Sequence, residues 1–97
     1  MYSNIALSIG GSDSGGGAGI QADLRTFMAL NVHGCSAITC ITAQNSLDVN
    51  CVEAVKKDTL ISQIDTLFSD FDIKSLKTGM LLNDSFKTEI LFYSKGH

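Results

Sequence analysis

Asp23, Gln44 and Met80 are the side chains best suited to holding a small molecule, and a glycine-dense segment, Gly10 to Gly19, leads up to the first of them. Six of the ten residues in that segment are glycine. Glycines let backbone N–H groups come close to a ligand, and at a helix N-terminus those groups favour an anion. The known phosphate patterns fit poorly. A Walker loop needs Gly-Lys-Ser/Thr, and no lysine precedes Lys56. Gly17-Ala-Gly-Ile-Gln-Ala22 matches G-x-G-x-x-A but begins eight positions after Ile9, whereas a dinucleotide site needs it directly at the strand end. The segment is read as a loop against which a ligand lies; glycines that merely turn the chain are the alternative.

Asp23 follows Ile20 by three residues and precedes Phe27 by four, so on a helix its carboxylate faces the same way as those apolar side chains. It can accept a hydrogen bond from a ligand hydroxyl, or simply complement the positive end of the helix. Gln44 presents one acceptor and two donors, a set able to pair with a ring nitrogen and an adjacent amino group. A solvated glutamine at a strand end is the plain alternative. Met80 offers soft apolar cover for a flat ring, or fills core space.

No nucleophile with an attendant base is visible. His33 sits between a helix and a strand and His97 is terminal, so neither supports a Ser or Cys mechanism. Cys35, Cys40 and Cys51 contain no Cys-x-x-Cys pair, and a zinc site is not expected. Cys35 and Cys40 lie in an apolar, β-branched run and read as buried small hydrophobes in a reduced protein. Lys56, Lys57, Lys74 and Lys77 read as solvated charges, with Lys77 alone near the expected site.

The elements that must position these groups alternate. Ile5-Ala-Leu-Ser-Ile9 is a short apolar strand entering the glycine segment, and Ile20, Leu24, Phe27 and Met28 then recur at helical spacing up to a stop at Asn31 to Gly34. Cys35 to Gln44 is nearly apolar through its middle, as a central strand covered on both faces would be. Leu47 to Val55 reads as irregular or weakly extended. Asp58 can cap a helix carrying Leu60, Ile61, Ile64, Leu67, Phe68 and Phe71 as an apolar stripe. Ile73 to Thr78 is a third strand ending at Gly79-Met80, and Asp84 or Ser85 can start a last helix with Phe86, Ile90 and Tyr93.

The order β-α-β-(β)-α-β-α implies βαβ units, right-handed crossovers and a parallel sheet with helices packed on it. Ligands gather outside the carboxyl ends of such strands. Gly10-Gly11, Thr42 to Asn45 and Gly79-Met80 occupy those ends, so a carboxylate, an amide and an apolar cover should line one pocket for a small polar aromatic molecule.

Composition narrows the class. With 97 residues, 44% of them hydrophobic, 18% charged and no proline, the chain holds one globular domain at most. Seven basic against ten acidic residues give a net charge of −3, so no basic surface for nucleic acid or anionic lipid stands out. Its apolar stretches are interrupted well before the ~18 residues that a membrane span needs, and no basic region precedes an apolar run at the N-terminus. A cytoplasmic location is expected.

Ala6 to Phe27, read as a continuous stretch, resembles the N-terminus of the hydroxymethylpyrimidine/phosphomethylpyrimidine kinases of thiamine biosynthesis. Thr42-Ala-Gln-Asn-Ser46 and Lys77-Thr-Gly-Met-Leu81 are similar to two further motifs of that family, in order. The resemblance implies a ribokinase-like three-layer α/β/α fold with a mostly parallel central sheet, of which residues 1–97 form the N-terminal, substrate-binding portion of a single domain. It implies ATP-dependent phosphorylation of 4-amino-5-hydroxymethyl-2-methylpyrimidine and then of its monophosphate, with Mg²⁺. Gly11 and Ala18 would lie against the substrate, Asp23 would bind its hydroxymethyl side, Gln44 would read the aminopyrimidine edge, and Met80 would pack on the ring.

Members of the family are more than twice as long, with the glycine-rich anion hole, catalytic base and most of the ATP site in their C-terminal half. The resemblance therefore places no catalytic residue in this chain. It implies a fragment, a truncated product or part of a split assembly that does not turn over by itself, with a homodimer or a complementing C-terminal half as its partner. A pyridoxal or pyridoxine kinase is the nearest alternative. A non-catalytic module that keeps the fold signature and a Rossmann-type dinucleotide binder are the others.

Overall fold

A computed structural model describes residues 4–79. Four strands and two helices run in the order β1 (Ile5–Asp13), α1 (Gly19–Ala29), β2 (His33–Gln44), β3 (Val49–Ala54), α2 (Lys57–Asp70) and β4 (Ser75–Thr78). The sheet order is β3-β2-β1-β4. β1 runs parallel to both β2 and β4, while β3 is antiparallel to β2, so the sheet is mixed with a parallel centre. The last helix expected from Asp84 or Ser85 lies outside the described residues. No helix among the described residues is long and apolar enough to cross a membrane.

Strand alternation sorts the core onto two faces. Ile5, Leu7 and Ile9 of β1 join Cys35 and Ala37 of β2 beneath Leu60 and Ile64 of α2, with Leu67, Phe68 and Phe71 packed around them. Ser8 of β1 and Gly34 of β2 face the other way, toward α1. The helices thus cover opposite sides, which makes the three layers. Gly34 is needed for that packing, because a Cβ there would come within 2.7 Å of Leu24 and 2.8 Å of Phe27. Cys35 and Cys40 are buried free thiols, as expected of small hydrophobes. Burial, followed by the nearby charge of Asp70, pushes the Cys35 thiol above its ordinary range.

Several elements differ from the sequence reading. β1 does not stop at Ile9 but continues through the first glycines to Asp13, because glycine keeps its ladder donor and acceptor and β2 stays alongside. The register shifts between Gly10 and Gly11, where Gly10 faces Ile38 and Gly11 faces Cys40. Thr39 is therefore the extra residue of a β-bulge. Beside it, Gln63 of α2 accepts from the Ile38 N–H and donates to the Ile38 carbonyl, both at 2.9 Å, so an amide side chain completes the pairing that a neighbouring strand would supply.

The segment after Leu47 forms a regular edge strand, β3, although all six of its residues are exposed. Its hydrogen bonds come from β2, so it needs no apolar alternation of its own. α2 starts at Lys57 with Lys56 as its N-cap and no side-chain cap bond. Asp58 lies in the first turn instead of capping it, where its charge complements the helix dipole. On α1 the inward stripe is the buried Ile20 with the half-buried Leu24 and Phe27; Met28 is 80% exposed, a further 100° around the helix.

Candidate functional site

The carboxyl ends of β1, β2 and β4 lie on one edge of the sheet, where α1 also begins. A cavity of about 390 Å³ opens there. Gly10, Gly11, Ala18, Asp23, Thr42, Gln44, Lys77 and Gly79 are among its lining residues. The three expected strand ends therefore meet at one place, and the structure brings Gly11, Ala18, Asp23 and Gln44 together around it. Met80 lies outside the described residues.

Asp13, at the end of β1, builds the loop wall. It is 6% exposed, and its carboxylate accepts from the Gly15 N–H and from the Ala18 N–H, each at 2.8 Å. Its carbonyl accepts from the Gly16 N–H at 2.9 Å, and its own N–H donates to Gln21 Oε1 at 2.9 Å. Ser14 ties the loop to β2: its hydroxyl accepts from the Gln44 N–H at 2.7 Å and donates to the Gln44 carbonyl at 2.6 Å. The glycine loop is consequently closed on an internal anion. Gly15 and Ala18, whose amides a phosphate would seek, already serve Asp13, which is a physical reason the Walker and dinucleotide patterns fail here. Gly19, at φ +63°, turns the chain into α1, and a Cβ on it would stand 2.5 Å from the Gly11 carbonyl.

The opposite wall is built for side-chain chemistry. Ser8 of β1 and Lys77 of β4 are directly paired, so their side chains rise from the same face toward α1. Asp23 comes down between them. Ser8 Oγ donates to Asp23 Oδ2 at 2.7 Å, and Lys77 Nζ donates to Oδ1 at 2.5 Å. The Asp23 side chain is 16% exposed and that of Lys77 55%. Burial alone would push the Asp23 carboxyl up; the Lys77 hydrogen bond, the Ser8 hydroxyl and the Lys77 charge outweigh it and hold the group below its ordinary range. Asp23 is thus an ionised acceptor at neutral pH, with lone pairs left for a ligand hydroxyl. No acidic residue falls in the first turn of α1, so Asp23 is placed by these partners and not by the helix terminus.

Gln44 closes the end of β2. Thr42 Oγ1 reaches the Ser12 carbonyl at 2.8 Å and Gln44 Oε1 at 3.1 Å, and its one proton serves one of them at a time. The contact orients the amide, and no described residue takes its Nε2 protons. His33 begins β2 at the far end of the sheet and stacks on Phe71 with ring centroids 5.5 Å apart, away from the cavity. Among the described residues no three His, Cys, Asp or Glu side chains are grouped to hold a metal ion.

Sequence reasoning passed over Asp13, Ser8 and the role of Lys77. Asp13 had a signal: an aspartate two residues before a glycine favours a turn closed by its own carboxylate. Ser8 is the one hydroxyl in the apolar run Ile5 to Ile9, a weaker hint. Lys77 read as a solvated charge, and only the pairing of β1 with β4 reveals its partner.

Comparison with known proteins adds four findings. The family model for phosphomethylpyrimidine kinase matches residues 13–94. A hydroxymethylpyrimidine/phosphomethylpyrimidine kinase from Rhizobium meliloti (strain 1021) is 61% identical over 77 residues, 79% of this chain and 29% of that relative's length. A crystal structure of phosphomethylpyrimidine kinase from Clostridium difficile 630 superposes with a TM-score of 0.89 at 44% identity, covering 96% of this chain and 40% of that one. A Staphylococcus aureus pyridoxal kinase in complex with AMP-PCP and pyridoxal gives 0.81 at 33% identity, covering 95% and 35%. The chain thus spans less than half of the relatives it matches.

Proposed function

The chain belongs to the phosphomethylpyrimidine kinase family, and on that premise we propose that it supplies the substrate side of an ATP-dependent kinase acting on 4-amino-5-hydroxymethyl-2-methylpyrimidine and its monophosphate. The observation that carries this reading is the Asp23 carboxylate, ionised and oriented by Ser8 and Lys77 inside the cavity that also receives Gln44. Asp23 would accept a hydrogen bond from the substrate hydroxymethyl group and so direct the lone pairs of that oxygen away from the carboxylate. Gln44 would give its Nε2 protons to a ring nitrogen, with Oε1 accepting from the neighbouring amino group in exchange for Thr42. Gly11 and Ala18 would floor the pocket, where the absence of larger side chains lets a flat ring lie against the backbone, and Met80 would cover it.

ATP is the phosphoryl donor in this reading, and the nucleotide-binding and catalytic groups are assigned to the remainder of the longer domain found in the relatives. Titration of the chain with the aminopyrimidine alcohol, beside a coupled assay for ADP, tests both parts. Saturable binding without turnover is expected; turnover by the chain alone would overturn the assignment of catalysis elsewhere, and no binding would overturn the site.

A pyridoxal kinase is the second reading, favoured by the likeness to the Staphylococcus aureus enzyme. Pyridoxal has no amino group beside its ring nitrogen, so Gln44 separates the two. Gln44→Ala should weaken aminopyrimidine binding by about 1–3 kcal/mol, the cost of lost buried hydrogen-bonding partners, and should weaken pyridoxal binding less, because only a ring-nitrogen bond is then lost. Equal losses for both rings would favour the vitamin B6 reading.

A further inference from the structure

A site that takes first an alcohol and then its phosphate monoester faces opposite electrostatic demands at one atom. The alcohol needs an acceptor, which Asp23 provides. The monoester brings negative charge to the same exocyclic oxygen, and an ionised carboxylate beside it repels that charge. Among the described residues lining the cavity, Lys77 carries the positive charge.

Its placement suits a partner change. The Lys77 backbone is held in β4 opposite Ser8, while its side chain is 55% exposed and keeps the freedom of a four-carbon stem. The ammonium has three donors, and Asp23 Oδ1 takes one of them. Asp23 keeps a second anchor when Lys77 turns away, because Ser8 Oγ holds Oδ2 at 2.7 Å. The ammonium can therefore turn toward a new anion while the carboxylate stays in place. The glycine loop cannot supply that service, since Asp13 already takes the Gly15 and Ala18 amides.

We propose that Lys77 is a specificity-determining residue that admits the phosphate monoester to this cavity, pairing with Asp23 when the ligand is the alcohol and with the ligand's phosphate when it is the monoester. The inference rests on the pyrimidine-kinase reading.

Calorimetric titration of the full 97-residue chain with the pyrimidine alcohol and, separately, its monophosphate tests it in wild type, Lys77→Met and Lys77→Arg. In Lys77→Met the monophosphate affinity should fall about 10- to 100-fold more than the alcohol affinity, the size of one charge-assisted hydrogen bond. Lys77→Arg should recover part of the difference. Added salt should weaken monophosphate binding in wild type and have little effect in Lys77→Met. Equal losses for the two ligands in Lys77→Met would overturn the proposal, leaving Lys77 as a support for Asp23 alone. Wild-type binding of the alcohol without the monophosphate would overturn it while sparing the pyrimidine reading. A wild-type chain that binds neither ligand would overturn both.

Discussion

Asp13 and Asp23 stand ten residues apart and line the same cavity, yet their surroundings give them opposite uses. Asp13 has spent its acceptors on backbone: the Gly15 and Ala18 N–H groups belong to its own loop. Asp23 holds side chains, one of them a half-exposed lysine able to leave. A carboxylate that binds its own backbone shapes a wall; one that binds a mobile cation keeps capacity for a ligand. The two walls of the cavity thus divide the work between a rigid loop and an adjustable charge pair.

The most severe break in that contrast is Asp13→Ala. It strips two N–H groups of their acceptor and frees the loop, so denaturant unfolding should show a loss of about 2–3 kcal/mol, and pyrimidine affinity should collapse with it. Asp23→Asn should do the reverse, lowering affinity at least ~10-fold, consistent with about 1–3 kcal/mol for a buried polar contact, while changing unfolding stability by less. If the two variants lose stability and affinity in the same proportion, the division between the walls is wrong.

Gln63→Ala sharpens the comparison from outside the cavity. Losing both bonds to Ile38 should cost about 1–2 kcal/mol of stability and leave the affinity within twofold of wild type, since Gln63 does not line the site. A marked fall in affinity would mean that the bulge beside Ile38 positions the strand ends.

The smallest expected effect is a pH dependence. Asp23 is held below its ordinary range in the folded chain, against about 3.9 when unfolded. Its contribution is therefore present in full at neutral pH and is lost as pH falls from about 4 through the folded value. Thermal unfolding between pH 7 and pH 3 should show a shallower acid-side decline in Asp23→Asn than in wild type. Identical slopes would mean that the Lys77 pair contributes nothing to folding stability.

How far each of these features was readable depends on the distance over which it is encoded. The stripe Leu60, Ile64, Leu67 and Phe68 announced α2, because helical period is a property of neighbours three and four residues apart. The alternation of elements implied a parallel sheet, and the parallel sheet implied a site at its carboxyl edge. That is why the ends carrying Gly11 and Gln44, with Asp23 near the helix start, were expected at one pocket, whereas Ala18 was implied only by the family resemblance. β3 was hard to read because its six exposed residues carry no apolar alternation; its pairing is supplied entirely by β2. The continuation of β1 through Gly10 and Gly11 was hidden for the same reason, since glycine breaks the hydrophobic pattern without breaking the ladder.

The sequence by itself determined the types of most elements, the α/β class, the family and the edge of the sheet where the cavity lies. Each follows from local periodicity, short motifs and the general geometry of βαβ units. Only the tertiary structure decided that the glycine loop is filled by Asp13 and that Lys77 pairs with Asp23 across 54 residues. Hydrogen bonds and ion pairs act over about 3 Å in space, and sequence spacing cannot show which distant side chains the strand pairing brings that close.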